Sequence, residues 1–416
     1  MNFKIEHPCP QCQAPVILDE TDRMLICPAC RVRVHITSRG PFRYYMEAPE
    51  GSGDFLYLPY WRLKGTVYKA VSSFKIDPVS LDSAHVGLKG AFALKDLPNN
   101  TKSPQLRFAE RGVAGRFVPP ELDLFQVLGK MDKAASGLKE TASGPETYEN
   151  AWVGESAGVI FAPYALDGGN VVDLINKKPV GPAPEQAAID ALAGAATDEL
   201  HWMPRFLSSM CPQCGFDLKG DKTAEVFLCK VCNMGWYPRG DEFRPILVRT
   251  IPGKGNDLVY LPFWCIGSSI KGVKLDTYAD LIRVANLPKA IKKEWETDDF
   301  YFWIPAFKIH PHLFLRVAKQ VTITPFLGAM EARVPDSGSL LPVNFPLVEA
   351  MQSLKSVLAT FGTPKRTIFL KLPEISITPK KGMLVYVPCT PRGGELVQEE
   401  LGIAVSKQAL IYGKDV

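Results

Sequence analysis

Ten cysteines punctuate the chain, and eight of them form four Cys-x-x-Cys pairs: Cys9/Cys12, Cys27/Cys30, Cys211/Cys214 and Cys229/Cys232. Fourteen residues separate the first pair from the second, and fourteen separate the third from the fourth. Two such turns, about 15 residues apart, bring four soft thiolates around one metal ion in the manner of a zinc ribbon. Proline or glycine stands at most of the turns (Cys9-Pro-Gln-Cys12, Cys27-Pro-Ala-Cys30, Cys211-Pro-Gln-Cys214-Gly215), as tight reversals require. Four thiolates leave no position open for water, so such a metal supports the fold and does no catalysis. A structural zinc can supply on the order of 10–16 kcal/mol of folding free energy to hairpins too small to fold alone. A rubredoxin-like iron site uses similar knuckles, so coordination is better specified than metal identity. Thioredoxin-type redox chemistry wants one Cys-x-x-Cys beside a βαβ pattern, a context missing here. Disulfides belong to secreted chains, and the start MNFKIEHPCPQC lacks the apolar core of a secretory signal. The expectation is two structural Zn2+, one per ribbon, in a cytoplasmic protein.

Other chemistry-bearing residues are few. In Arg31-Val-Arg33-Val-His35-Ile, alternation predicts a strand with Arg31, Arg33 and His35 on one face and Val32, Val34 and Ile36 on the other. With Arg39 and Arg43 near, that face reads either as a solvated surface or as a basic stripe for phosphates or an acidic protein. His310-Pro-His312 sets two imidazoles close together ahead of a helix, a weak metal pair at most. Cys265 and Cys389 stand outside the ribbons and read as buried small hydrophobes, close together if their strands pair. No nucleophile elbow, P-loop, dinucleotide fingerprint or HExxH motif occurs.

The elements that position these residues recur. All four ribbon cysteines repeat at an offset of 202, and Asp54-Phe-Leu-Tyr-Leu-Pro-Tyr-Trp61 returns as Asp257-Leu-Val-Tyr-Leu-Pro-Phe-Trp264. Long-period self-similarity of this kind signals duplication. Fainter echoes are Phe161-Ala-Pro-Tyr164 and Tyr386-Val-Pro-Cys389, each followed by a glycine pair. Trp303-Ile-Pro-Ala-Phe307 has Phe117-Val-Pro-Pro120 as its candidate counterpart, and Phe42-Arg43 has Phe243-Arg244. Proline within these aromatic runs cannot donate to a ladder, which predicts edge or bulged strands. Helices are expected over 120–133, with Leu122, Phe125 and Leu128 inward, and over 185–201, with Ile189, Leu192, Ala196 and Leu200 inward. Further helices are expected over 277–286 and 345–361, and residues 134–150 read as a loop or weak helix.

The 416 residues suit two or three domains, and 46% hydrophobic with 22% charged residues is an ordinary globular balance, not a disordered one. A net charge of +4 demands no polyanionic partner, and no apolar run is long enough for a transmembrane helix. Thirty-five dispersed prolines argue against a coiled coil. The predicted class is α+β and β-rich, with an internal duplication: each half is a four-cysteine zinc ribbon followed by a mainly antiparallel β domain with a few helices. The boundaries read as ribbon 1–40, β domain 41–182, linker helix 183–206, ribbon 207–240 and β domain 241–416.

The eight ribbon cysteines together with Tyr57–Trp61 and Tyr260–Trp264 resemble a group of bacterial tandem zinc-ribbon proteins, sometimes labelled as having TFIIB-type ribbons. In these a ribbon precedes aromatic-Pro-aromatic β repeats. Some members carry transmembrane segments and accompany membrane-remodelling proteins; this chain departs from them in having no such segment, and the membrane role compatible with the resemblance is that of a soluble partner of a membrane-associated assembly. The sequence-based expectation is a non-enzymatic zinc-binding adaptor or scaffold for protein partners. A nucleic-acid-binding protein using Arg31 and Arg33 is the alternative.

Overall fold

The computed structural model describes residues 3–89, 97, 105–137, 147–196, 201–218, 220–255, 257–326, 328–336, 338–361 and 366–412. It is α+β and dominated by strands. Two compact units form, neither a single stretch of sequence. The first comprises Met1–Lys64, Leu81–Gly144 and Ser156–Ser208; the second comprises Gly65–Ser80, Pro145–Glu155 and Ser209–Val416.

In the first unit Phe42–Met46 runs parallel to the strand Thr147–Asp167, with Tyr45 opposite Phe161. That long strand turns at Gly168-Gly169, both at positive φ (55° and 77°), and returns as Asn170–Asp173. Glycine adopts this conformation without steric cost, which is why the pair stands there. The Tyr-Leu-Pro strand, Leu56–Val71, is crossed by a strap. The Tyr57 N–H donates to the Arg116 carbonyl (2.8 Å), and the Tyr57 carbonyl accepts from the Val118 N–H (3.0 Å). Gly115 opens the strap at φ 143°, where a Cβ would come within 2.6 Å of the Tyr57 ring. The Trp61 indole N–H then donates to the Leu122 carbonyl at 2.7 Å. Helix Leu124–Gly137 follows, its first turn closed by reciprocal bonds between Asp123 and Gln126 (2.8 and 3.0 Å).

The second unit repeats these steps. Val248–Thr250 runs parallel to Ser376–Arg392, with Thr250 opposite Tyr386. That strand turns at Gly393-Gly394 and returns as Glu395–Gln398. A strap crosses Val259–Lys271: the Ser339 N–H donates to the Leu258 carbonyl and the Leu341 N–H to the Tyr260 carbonyl, both at 3.0 Å. Gly338 sits against the Tyr260 ring, the Trp264 indole donates to the Phe345 carbonyl at 2.8 Å, and helix Leu347–Ala359 follows. The structural partner of Phe117-Val-Pro-Pro120 is therefore Leu340-Leu-Pro-Val343, not the 303–307 segment expected from its aromatic-proline pattern. Trp303 belongs instead to Phe302–Pro305, an antiparallel neighbour of Val259–Lys271.

The prolines correct another expectation. Val259–Lys271 is an interior strand, between Phe302–Pro305 and Ser376–Arg392, with no bulge at Pro262. The carbonyls of Tyr260 and Pro262 accept from Leu341 (3.0 Å) and Ala306 (3.0 Å), so Pro262 faces the side where strap gives way to neighbouring strand. The Ala306 carbonyl opposite it accepts from Asn344 and Phe345 instead (3.1 and 3.2 Å), so the missing proline N–H leaves no acceptor unserved. Pro59 occupies the same kind of junction, its carbonyl accepting from Gly87 (2.8 Å) while Tyr57 serves the strap.

Of the expected helices, 277–286 is observed as Tyr278–Ala285, with a Thr277/Asp280 capping box and Asn286 left-handed at its end. The 120–133 helix begins later, at Leu124, which turns Phe125 outward (78% exposed) while Leu122 stays buried. The 185–201 helix is Gln186–Ala195; Ala196 is extended, Leu192 is buried, and Leu200 lies outside the described residues. Of the 134–150 stretch, 134–137 end a helix, 147–150 begin a strand, and the rest lies outside the described residues. Among the described residues no helix is long and apolar enough to cross a membrane.

Candidate metal centres

Each knuckle is built from its own backbone. In the first, between the paired strands Lys4–Pro8 and Pro15–Asp19, the Cys9 N–H donates to Ala14 and the Gln13 N–H to Cys9 (2.8 and 2.9 Å). In the second, between Met24–Ile26 and Arg33–Thr37, Cys27 donates to Val32 and Arg31 to Cys27 (3.1 and 3.0 Å). The third repeats this with Cys211 to Phe216 and Gly215 to Cys211, both 2.8 Å. The fourth lies between Phe227–Cys229 and Met234–Arg239. In all four, the residue after the second cysteine is left-handed: Gln13 (φ 61°), Arg31 (60°), Gly215 (73°) and Asn233 (55°). This reversal aims both sulfurs of a pair at one point.

The sulfurs converge as a metal requires. Cys9–Cys30 and Cys12–Cys27 are 3.7 and 3.6 Å apart; Cys211–Cys232 and Cys214–Cys229 are both 3.5 Å apart. A tetrahedron with metal–sulfur bonds of about 2.3 Å has edges of about 3.8 Å, so either set accommodates one ion with little adjustment. All eight cysteines are free thiols. The Cys30 backbone N–H holds the Cys27 thiol down at about 6, while burial and the neighbouring sulfurs push Cys30 up to about 12. Each set could therefore hold a metal ion.

The two ribbon sheets are completed differently. Arg33–Thr37 takes as its outer neighbour the remote strand Arg205–Ser208, with Arg205 opposite Thr37 and Ser208 opposite Val34. In the second ribbon the third strand is local: Glu242–Ile246 folds back on Met234–Arg239. The expected equivalence of Phe42-Arg43 and Phe243-Arg244 does not survive, because Phe42 opens the strand parallel to Thr147–Asp167 while Phe243 lies in this hairpin.

The basic face proposed for Arg31, Arg33 and His35 is not assembled. Arg31 belongs to the knuckle turn, so strand alternation starts only at Arg33. Arg31 and Arg33 are exposed, but His35 is 1% exposed, paired between Met24 and Leu207. Burial lowers its imidazole to about 3, with Arg23 adding repulsion, so it is neutral at physiological pH.

Cys265 and Cys389 lie on paired strands but not opposite one another; Cys265 faces Met383 and Cys389 faces Val259. Both are buried, and burial raises both thiols, Cys389 to about 12. His310 and His312 are exposed and stacked, ring centroids 5.7 Å apart. No group of three metal-ligating side chains includes them among the described residues.

Two features have no signal in the sequence. One is a buried ion cluster in the first unit: Arg62 (2% exposed) meets Glu20 at 2.8 Å and Asp82 at 2.5 Å. The other is an apolar rim on the second ribbon, where Met210, Phe216 and Val231 are 52%, 52% and 59% exposed. The ribbon offset of 202 puts Pro8, Ala14 and Ala29 at these places in the first ribbon. No family model, curated protein or solved structure matches the chain.

Proposed function

We propose that this chain is a non-enzymatic, zinc-stabilised adaptor that binds other proteins, built from two versions of one unit and acting in the cytoplasm. Four thiolates at tetrahedral spacing suit Zn2+, which supplies a cross-link between the two knuckles of each ribbon and keeps no open position for a reacting group. The duplication is supported by matching steps in the two halves: knuckles, parallel strand, strap, Trp61 or Trp264 indole bond, helix, and the hairpin after a glycine pair.

The observation that carries the protein-binding reading is the rim of the second ribbon. Phe216 and Val231 border a groove of about 770 Å³ whose walls include Ala224, Leu228, Leu341 and Tyr386. Clustered exposed apolar side chains beside a concave surface mark interaction sites. The first ribbon has only small residues at these positions, so the two ribbons divide the work: one is packed into its unit and the other is presented. Nucleic-acid binding through Arg31 and Arg33 has lost its third member, His35, and is not adopted.

The test replaces Phe216 and Val231 by aspartate together. Captured proteins are compared with those held by the unaltered chain, and metal content is measured alongside. The expected outcome is loss of specific partners at an unchanged two zinc ions per chain. An identical partner set in both samples removes the rim from the reading, and a reproducible absence of partners removes the adaptor itself.

A further inference from the structure

A cavity of about 240 Å³ in the second unit is walled by five aromatic rings: Tyr278, Phe300, Tyr301, Trp303 and Phe326. They come from separate elements. Tyr278 opens the helix Tyr278–Ala285, Trp303 lies on Phe302–Pro305, and Phe326 follows the helix Pro311–Ile323. Tyr278, Phe300 and Trp303 are buried, whereas Tyr301 and Phe326 are half-buried and form part of the mouth. Asp298 and Asp299 stand exposed beside them; Lys289 and Lys381 are not lining residues, but their ammonium groups lie 5.9 and 5.0 Å from the Tyr278 and Tyr301 ring centroids. Aromatic faces carry negative electrostatic potential, and carboxylates add to it.

The hydrogen-bonding inventory narrows the ligand. The Thr322 hydroxyl accepts from the Trp303 N–H (3.0 Å) and donates to the Trp303 carbonyl (3.3 Å). The Tyr278 hydroxyl accepts from Lys289 (3.2 Å) and donates to the Ile323 carbonyl (3.5 Å). Asp299 accepts from Lys381 at 2.8 Å. A primary ammonium could pair with the Asp298 carboxylate, but with the Thr322 and Tyr278 hydroxyls already engaged it would leave part of its three donors unpaired on burial. A quaternary ammonium has none. The remaining wall includes Met330, Met383 and the thiol of Cys265, soft groups that suit methyl contacts. The protein already shows the same recognition at the rim: the Lys381 ammonium sits 5.0 Å from the Tyr301 ring centroid while bonding Asp299.

We infer that this cavity binds a small, free organic cation bearing a quaternary ammonium group, with Asp298 as its counter-charge. The inference is independent of the adaptor reading.

The zinc-loaded full chain, titrated calorimetrically with choline and with its neutral isostere 3,3-dimethylbutan-1-ol, tests it. Choline should bind about five- to thirtyfold more tightly, as about 1–2 kcal/mol of cation–ring attraction predicts. Because Trp303 is a core residue, the variants are placed at the mouth. Asp298→Asn and Phe326→Leu should each weaken choline about three- to tenfold and leave the alcohol nearly unchanged. Thermal unfolding and zinc content verify that each variant is folded. Equal affinity for choline and the alcohol overturns the inference. So does an absence of choline binding at about 10 mM, a concentration that fills even a millimolar site. Choline binding that neither variant disturbs overturns it as well.

Discussion

The two ribbons share their knuckle geometry and differ in almost everything around it. The first borrows a strand from residues 205–208, buries His35 on the strand beside it and shows only small residues near its metal end. The second closes its sheet with the adjacent Glu242–Ile246 and displays Met210, Phe216 and Val231. Local backbone bonds and left-handed turns are enough to make a metal set. What the ribbon does next depends on what packs against its sheet, which the knuckles do not encode. The β domains show a parallel contrast. Trp61 and Trp264 make the same indole bond, yet the next residue is a buried, ion-paired arginine in one and a buried thiol, Cys265, in the other.

Loss of metal should separate the ribbons most strongly. Cys27→Ser and Cys229→Ser are each expected to reduce bound zinc from two to one per chain by elemental analysis. The lost contribution, on the order of 10–16 kcal/mol, exceeds what most domains have to spare. Only Cys27→Ser should expose the amides of Arg205–Ser208 to hydrogen exchange. Continued protection there would show that the borrowed strand is held by something other than the first ribbon.

Next in size is the ion cluster. Glu20→Ala leaves Arg62 buried with half its partners and should cost about 3–5 kcal/mol in denaturant unfolding, whereas Cys265→Ala at the matching place should cost about 1 kcal/mol. The cluster also gives the first half an acid sensitivity. Burial pushes the Asp82 carboxyl up, but the positive charge around it, Arg62 included, outweighs this and the folded-state value lies below the ordinary 3.8. The stability this supplies is therefore present above pH 3.8 and lost as pH falls through the lower folded value. Asp82→Asn should flatten that part of the stability–pH curve; an unchanged curve would assign the sensitivity elsewhere.

The smallest effect concerns the knuckle turns. Gln13 and Arg31 hold left-handed conformations in the first ribbon, where the second has Gly215 and Asn233. Gln13→Gly and Arg31→Gly should each stabilise by up to about 1 kcal/mol, and Gly215→Gln should destabilise by a similar amount. Shifts in urea midpoint measure this, and opposite signs in the two ribbons are the point of the comparison.

The metal sets were legible because thiolate geometry is local: spacing alone places Cys9, Cys12, Cys27 and Cys30 around one point. The Tyr-Leu-Pro strands and the glycine-pair hairpins were legible for the same reason, as short-range patterns repeated. What stayed hidden depends on long-range pairing. The alternation of Arg33 and His35 says which residues share a face but not that Arg205–Ser208 will pair along the strand's outer edge or that His35 will be buried. Nothing near Glu20 announces that Arg62 lies beside it. The strap is hidden because Trp303-Ile-Pro looks more like Phe117-Val-Pro than Leu340-Leu-Pro does, although only the last shares its hydrogen bonds to the Tyr-Leu-Pro strand.

The strand at Arg205–Ser208 also sets a timetable. During synthesis at roughly 5–20 residues per second, about 10–30 s separate the emergence of Arg33–Thr37 from that of its outer neighbour. For that interval the first ribbon can hold its metal but presents a bare sheet edge, the kind that recruits unintended strands. The second ribbon, whose third strand follows within a few residues, has no such wait. The nascent chain is thus most vulnerable before its midpoint, and the first ribbon's edge is covered only by the last residues of its own unit.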